Sequence, residues 1–223
     1  MKSLLNVKYW IFDLDNTLYE GKTKVFSQVS KKMTEFISKK LNVNLIKAKE
    51  IQKEYFHEYS TTLNGMIKNH KINPKEFLDF VHNINLNFLQ KDLPLREELK
   101  KIKEKKYIYT NASNYHALNV TARLGIEELF DGIFDIETSD FIPKPSVESY
   151  KKLISKFKIE PEKSILIEDI ARNLKPAKEF GMKTVWIQNN EPWASKHSNE
   201  KFIDFKTKKL SDFLKQVNML KSL

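Results

Sequence analysis

The chain has 223 residues, a length that suits one enzyme domain carrying a small inserted domain, or two small domains. It contains no cysteine, which excludes disulfides, thiolate metal sites and a thiol nucleophile. The formal net charge is +10, but the lysines are interleaved with acids along the chain. We therefore interpret them as solvated helix faces and expect no nucleic-acid polymer as partner, although a basic field favours small anionic substrates.

Targeting and membrane signals are weak. The N-terminal segment has only short apolar runs, and no stretch approaches the roughly 20 apolar residues that span a bilayer. We expect a cytoplasmic protein without a signal peptide or a membrane partner, present as a monomer or a homodimer.

The first predicted element is a buried strand at residues 7–12 (VKYWIF), a short run of β-forming residues bounded by polar ones. From about residue 23 the apolar positions recur at helical spacing, and residues 22–92 are predicted to form a helical unit. After it, helices and strands alternate. The predicted helices are 95–105, 115–124, 146–157, 171–180 and one from 211, and the predicted strands are 107–109, 132–136, 164–167, 183–187 and 202–205.

This alternation is typical of βαβ units and predicts the α/β fold class. We expect a Rossmann-like core with a mostly parallel sheet, formed by residues 1–20 and 93–223. An all-α cap, residues 21–92, would be inserted after the first strand.

Acidic side chains follow two of the predicted strands, at the edge of a parallel sheet where ligands bind. Asp13 and Asp15 come after the first strand, and Glu168 and Asp169 after the fourth. Clustered carboxylates repel one another unless a cation neutralises them. A hard cation with oxygen ligands fits, and Mg²⁺ takes a few carboxylates while keeping several waters. The sequence therefore predicts Mg²⁺ as cofactor.

Four segments resemble, in order, the four motifs of the haloacid dehalogenase superfamily. They are FDLDNTLY (12–19), YTNAS (109–113), the lysine of PKPS (143–146), and LIEDIARNLKPAKEFGMKTVWI (166–187). A lone DxD pattern is weak evidence, but four motifs in order at predicted strand ends are specific.

The resemblance implies a catalytic role for each matching residue. Asp13 would attack phosphorus and form an aspartyl-phosphate, and Asp15 would act as general acid and then general base. Thr110 and the amide of Asn111 would hold phosphate oxygens. Lys144 would stabilise the charge that develops on Asp13 and on the phosphate, and would also bind the phosphate.

The same resemblance implies a ligand set for the metal. Asp13, the backbone carbonyl of Asp15, and Asp169 would bind Mg²⁺. Glu168 would be a further ligand or would lie behind the ligands.

Asp15 separates the reaction types that the superfamily carries out. Dehalogenase members lack this second acid, since a halide leaves without a proton, whereas an alkoxide needs one. We therefore expect a Mg²⁺-dependent phosphomonoesterase whose partner is a small-molecule phosphate monoester. A phosphomutase is an alternative, because mutases keep both acids. An inactive binding module on the same fold is another, and it conflicts with the intact set of Asp13, Asp15, Lys144 and Asp169.

The sequence of the predicted cap resembles one particular family within the superfamily. The stretch YSTTLNG (59–65) is similar to Tyr-Gly-Thr-Thr-Leu-x-Gly in the pyrimidine 5′-nucleotidase family, and residues 109–133 also match. Ser60 replaces a glycine of that pattern, which matters if φ is positive there. The resemblance implies a pyrimidine nucleoside 5′-monophosphate as substrate. Phosphoglycolate, a sugar phosphate and pyridoxal phosphate are alternatives.

Three cap residues, Thr61, Thr62 and Asn64, are candidate contacts to a base or sugar, the alternatives being a kink within a helix or a threonine pair that caps a helix. We interpret His82 and His116 as structural or helix-surface residues. Trp186 and Trp193 flank a loop after the fifth strand of the core, and the sequence assigns them no role.

Overall fold

The computed structural model describes residues 2–189 and 191–222. Its centre is a sheet of six parallel strands in the order β3-β2-β1-β4-β5-β6. The strands are β1 (Tyr9–Phe12), β2 (Lys105–Tyr109), β3 (Gly132–Phe134), β4 (Ser164–Glu168), β5 (Lys183–Ile187) and β6 (Phe205–Thr207). This arrangement confirms the predicted α/β, Rossmann-like fold class.

Five helices lie between β1 and β2 in the chain, and the first four of them form the insertion. These four are α1 (Val25–Leu41), α2 (Leu45–Tyr59), α3 (Thr62–His70) and α4 (Pro74–Val81). Asn73 caps α4 and Pro74 occupies its first turn, where a missing N–H leaves no intrahelical bond unmade. These helices supply most of one apolar cluster, which Ile136 from the loop after β3 completes, and in it the Phe36 ring packs edge-on against Phe77 with centroids 5.0 Å apart. The insertion is thus a packed helical unit.

The remaining helices accompany the strands of the sheet. They are α5 (Leu93–Lys101), α6 (Asn114–Leu124), α7 (Val147–Phe157), α8 (Leu174–Glu179), α9 (Pro192–Ser195) and α10 (Leu210–Lys221). Successive side chains of a strand point to opposite faces, so Trp10 and Phe12 belong to one apolar cluster and Ile11 to the other. The sheet is therefore buried on both sides, as a parallel sheet requires.

Several predicted elements have different bounds in the structure; for example, the helix predicted at 95–105 ends at Lys101 and the strand predicted at 132–136 ends at Phe134. Two elements differ more. The last strand, predicted at residues 202–205, lies at Phe205–Thr207. The Thr184 amide donates to the Asp204 carboxylate, and the Thr184 hydroxyl donates to the Phe202 carbonyl. These hydrogen bonds of side chains take the place of backbone hydrogen bonds between the strands at residues 202–204. The helix predicted at 171–180 is a 3₁₀ turn followed by the short α8.

The register of the central strands decides where the polar loops meet. Phe12 pairs with Ile108 of β2 on one side and with Ile167 of β4 on the other. Parallel strands in this register end at the same edge of the sheet. The residues that directly follow β1, β2 and β4 therefore converge. No helix in the described part of the chain is long and apolar enough to cross a bilayer.

The second and third helices of the insertion approach each other closely at Gly65. A Cβ atom at this position would lie 2.4 Å from the Cβ and Cγ atoms of Tyr55. Tyr55 is buried, and its hydroxyl is hydrogen-bonded to Nε2 of His70 at 2.7 Å, so it has little freedom to move. We expect Gly65→Ala to lower the free energy of unfolding by about 1–3 kcal/mol, measured by urea denaturation.

Gly21→Ala is the matched control for this prediction. A Cβ there meets its nearest neighbour, an Asn16 side-chain oxygen, at 3.4 Å. We expect a change within about 0.5 kcal/mol. Equal stability of Gly65→Ala and the wild type would contradict the close approach of the two helices.

Candidate active site

Lys144 lies at the centre of the polar cluster. Its Nζ donates to Oδ1 of Asp13 at 2.7 Å, to Oε2 of Glu168 at 2.7 Å and to the Tyr109 carbonyl at 2.8 Å. The residue is only 2 % exposed. Burial alone would lower the pKa of Lys144, but the Asp13 and Glu168 carboxylates outweigh it and raise the pKa. The side chain is therefore a permanent cation between two carboxylates.

Asn111 fixes the loop that carries this lysine. The Lys144 amide donates to Oδ1 of Asn111 at 2.9 Å, and Nδ2 of Asn111 donates to the Lys144 carbonyl at 3.4 Å. Thr110 is buried beside it, and its hydroxyl oxygen accepts from the Ala112 amide at 3.0 Å. The structure brings both residues to the cluster, and their binding of phosphate oxygens stays a prediction.

Three carboxylates meet beside the lysine. Asp13, Glu168 and Asp169 are all buried, and each offers an oxygen within 4.8 Å of the others. Burial and the Glu168 charge raise the pKa of Asp13 to about 7, although Lys144 opposes the shift. Burial, Glu168 and Asp13 likewise raise the pKa of Asp169 well above its usual value. One lysine leaves this cluster short of positive charge, and an all-oxygen set suits a hard divalent cation such as Mg²⁺.

Asp15 lies outside this set of three and has its own partners. Its Oδ1 accepts from the Tyr19 hydroxyl at 2.5 Å and lies 2.9 Å from Nε2 of His116. Burial would raise the pKa of Asp15, but His116 and Tyr19 outweigh burial and lower it. An ionised carboxylate only accepts hydrogen bonds, so Nε2 of His116 carries the shared proton. The two donors hold this carboxylate ionised and in one orientation.

Sequence reasoning missed this role of His116. The imidazole is 1 % exposed, so the helix-surface interpretation was wrong, and the ring stacks on His82 with centroids 4.5 Å apart. Nδ1 of His82 is hydrogen-bonded to the Ser113 hydroxyl at 2.8 Å, and burial together with His116 lowers the pKa of His82 to about 3. The available signal was position: His116 lies in the first turn of α6, which begins at the edge where the acids converge.

Arg172 connects the loop after the acid pair to the helical insertion. Its guanidinium donates to the carbonyls of Phe56 and Ser60 at 3.3 Å each and lies 4.6 Å from the centroid of the Phe56 ring. Ser60 ends α2 with φ of 71°, the left-handed conformation that glycine adopts most readily. The replacement of glycine by serine therefore falls at a position where φ is positive.

A cavity of about 1110 Å³ separates α1 and α2 from the edge of the sheet. Tyr19 and Asn189 form part of its wall, and Nδ2 of Asn189 donates to Oδ2 of Asp169 at 3.0 Å. A single side chain therefore separates the cavity from each acid: Tyr19 from Asp15, and Asn189 from Asp169.

The candidate cap contacts differ in their relation to this cavity. Thr62 is part of its wall. The Thr61 hydroxyl caps α3 by accepting from the Asn64 amide at 3.1 Å, and Nδ2 of Asn64 donates to the Tyr59 carbonyl at 2.9 Å. The bond from Asn64 to Thr61 matches the alternative in which threonine caps a helix, and a substrate contact by the three residues stays a prediction.

Both tryptophans have defined contacts in the structure. Nε1 of Trp186 donates to the Asp169 carbonyl at 2.7 Å and so steadies the acid pair. Trp193 lies on the cavity wall with Phe26 and Phe56, at centroid distances of 6.0 Å and 5.5 Å.

The fold and the site define a hydrolase whose polar centre lies at the carboxyl edge of a parallel sheet under a helical insertion. The chain belongs to the haloacid dehalogenase-like hydrolases, whose family model matches residues 7–181. Phosphate metabolism protein 8 of Saccharomyces cerevisiae is 31 % identical over 94 % of this chain and 70 % of its own length. Glyceraldehyde 3-phosphate phosphatase of Pyrococcus furiosus is 27 % identical over 82 % of this chain and 81 % of its own.

Solved structures support the fold. A phosphatase of this family from Thermococcus onnurineus superposes with a TM-score of 0.63 at 18 % identity, covering 95 % of this chain and 98 % of its own. L-2-haloacid dehalogenase from Xanthobacter autotrophicus gives 0.60 at 15 % identity, with the same coverage. The family model confirms the predicted superfamily.

Proposed function

We propose that this protein is a Mg²⁺-dependent phosphomonoesterase that acts through an aspartyl-phosphate on Asp13, with pyrimidine nucleoside 5′-monophosphates as preferred substrates. The observation that carries the proposal is the contact of Lys144 with both Asp13 and Glu168, with Asp169 beside them. A carboxylate can approach a phosphate dianion only where fixed cations offset the repulsion.

The side chains of Asp13 and Asp15 would carry out the reaction in two steps. An oxygen of Asp13 forms a bond to phosphorus while the ester P–O bond breaks, and the leaving oxygen takes a proton from the protonated form of Asp15, which is the minor form in the substrate-free site. Water then attacks the aspartyl-phosphate, its proton goes to the Asp15 carboxylate, and Asp13 is released with inorganic phosphate. Tyr19 and His116 orient Asp15 for both proton transfers.

The metal would be held by Asp13, Asp169 and the backbone carbonyl of Asp15, with Glu168 as a further ligand or behind the ligands. When bound, Mg²⁺ supplies positive charge against the phosphate oxygens. Lys144 provides the remaining positive charge, already in place in the folded chain.

The relatives support a phosphatase and also favour a second candidate substrate. The archaeal relatives from Pyrococcus furiosus and Methanocaldococcus jannaschii are named glyceraldehyde 3-phosphate phosphatases. A small phosphorylated sugar is therefore the second candidate, whereas the YSTTLNG segment favours a nucleotide.

A panel of phosphate monoesters tests the proposal. We expect uridine and cytidine 5′-monophosphates to give higher kcat/KM than glyceraldehyde 3-phosphate, phosphoglycolate or pyridoxal phosphate, with release of inorganic phosphate. EDTA should abolish turnover and Mg²⁺ should restore it. Metal-independent turnover would refute the role of Mg²⁺, and phosphoryl transfer without release of phosphate would identify a mutase. No turnover of any monoester by folded, Mg²⁺-loaded protein would favour the binding module.

A further inference from the structure

We infer that Lys49 and Lys53 form a subsite in the cavity, beside an aromatic wall, for a second anionic group on the leaving group, so that a pyrimidine nucleotide carrying such a group is hydrolysed in preference to the simple 5′-monophosphate. The inference rests on the proposed function, because it concerns the part of the ester that departs from Asp13. It identifies the class of substrate more closely than the four motifs do.

The charge of the cavity wall is the first observation. Lys49 and Lys53 lie on α2, one turn apart, and both line the cavity. Neither forms an ion pair within residues 2–189 and 191–222, whereas Lys47 on the same helix pairs with Glu50 at 3.1 Å. Lys53 is exposed and Lys49 half-buried, and two cations one turn apart repel each other, so a bound anion would remove that repulsion.

Lys49 is also fixed in place by neutral partners. Its Nζ donates to the Ser30 hydroxyl at 2.8 Å and to Oε1 of Gln52 at 3.2 Å. Gln52 is itself buried and bonded to the Thr34 hydroxyl at 2.6 Å. Burial, and the charge of Lys53, lower the pKa of Lys49. A lysine with two neutral acceptors keeps one N–H free for an anionic ligand.

The aromatic part of the wall is the second observation. Phe26, Phe56 and Trp193 are in contact along the cavity, and Phe56 follows Lys53 by three residues on α2. The helical repeat puts Lys49, Lys53 and Phe56 on one face of that helix. A ligand with a ring beside an anion fits this face, since rings pack with centroids 4.5–7 Å apart.

The cavity also borders residues that contact the acids. Its wall includes Tyr19 and Asn189, which are hydrogen-bonded to Asp15 and Asp169. A phosphate monoester that reaches Asp13 would thus leave its alcohol part in the cavity, between the acids and α2. The lysines would then contact the leaving group, in contrast to Lys144, which contacts the nucleophile.

The test compares uridine 3′,5′-bisphosphate with uridine 5′-monophosphate, two probes that differ by one distal anion. Release of uridine 3′-monophosphate identifies cleavage at the 5′ position. We expect the wild type to show kcat/KM roughly tenfold higher for the bisphosphate. Lys49→Gln and Lys53→Gln should each bring this ratio close to one. Lys47→Gln, which removes the same charge from the same helix outside the cavity, should keep the wild-type ratio.

A second pair of probes and a change of salt concentration extend the test. Comparing 4-carboxyphenyl phosphate with phenyl phosphate asks whether a carboxylate on the ring can replace the second phosphate. Raising the salt concentration should lower the wild-type ratio without any substitution, because salt screens partly exposed charges.

The possible failures are distinguishable. If the wild type hydrolyses the monophosphate but prefers neither of the probes that carry a second anionic group, the inference is overturned and the proposed function stands. A preference that survives both Lys49→Gln and Lys53→Gln also overturns it. If no monoester is hydrolysed in the presence of Mg²⁺, the proposed function itself fails.

Discussion

Asp13→Asn is expected to lower kcat for every phosphate monoester by about 10⁴-fold or more. The amide has the shape of the carboxylate but is not a nucleophile, so no aspartyl-phosphate can form. Its oxygen can still accept the 2.7 Å hydrogen bond from Lys144, which preserves the cluster. Steady-state turnover with Mg²⁺ measures the effect, and retained turnover would remove the covalent mechanism.

Thermal stability without metal provides the control for this variant. The pKa of Asp13 is raised from 3.8 to about 7 in the folded protein, chiefly by burial and then by Glu168. The folded state therefore binds this proton more tightly than the unfolded chain, and the resulting stability is fully present below pH 3.8 and lost as the pH rises through about 7. We expect metal-free wild type to lose Tm over this window relative to Asp13→Asn.

Mg²⁺ should remove most of that difference above neutral pH, because the ion replaces the proton as the counter-charge. Melting curves in EDTA and in Mg²⁺ measure it. Identical pH dependence of Tm in the two metal-free proteins would show that Asp13 does not carry the repulsion.

Lys144→Met is the second substitution with a large expected effect. It leaves Asp13 and Glu168 buried without their 2.7 Å partner, and removing one member of a buried ion pair costs about 3–5 kcal/mol of stability. We expect that loss in the free energy of unfolding without metal, partial recovery with Mg²⁺, and a loss of turnover at saturating substrate.

Lys106→Met is the matched control, since Lys106 is also buried in the sheet. Among the described residues, its Nζ donates to the carbonyls of Ile102 at 2.7 Å and Glu104 at 3.1 Å and to no carboxylate, so its removal leaves none of their carboxylates unpaired. We expect a smaller loss of about 1 kcal/mol, insensitive to Mg²⁺, with turnover retained. Equal losses in both variants, with no effect of Mg²⁺, would contradict charge compensation at Lys144.

The sequence predicts the fold and the acidic centre well for a physical reason. A change from helical to strand periodicity can be read from local apolar spacing, and the ends of parallel strands necessarily converge. Asp13, Glu168, Asp169 and Lys144 thus come together as expected, the first three directly after or at the ends of β1 and β4. Lys144 comes from a loop and is recognised through its motif.

What the sequence does not predict depends on contacts between distant segments. His116 reaches Asp15 across 101 residues, and Arg172 reaches Ser60 across 112. No local period encodes either contact. The shift of the last strand to Phe205–Thr207 has the same origin, because the Thr184 and Asp204 side chains decide where the ladder begins.

The Arg172 contact with the end of α2 has a consequence for which molecules fit. The guanidinium joins the carbonyls of Phe56 and Ser60 to the loop that carries Asp169, so the helix bearing Lys49 and Lys53 is held at one separation from the acids. The distance between the phosphate site at the acids and the anion site at the two lysines is therefore fixed. Molecules whose two anions are too close together or too far apart are then rejected for their length, even when their charge and ring are right.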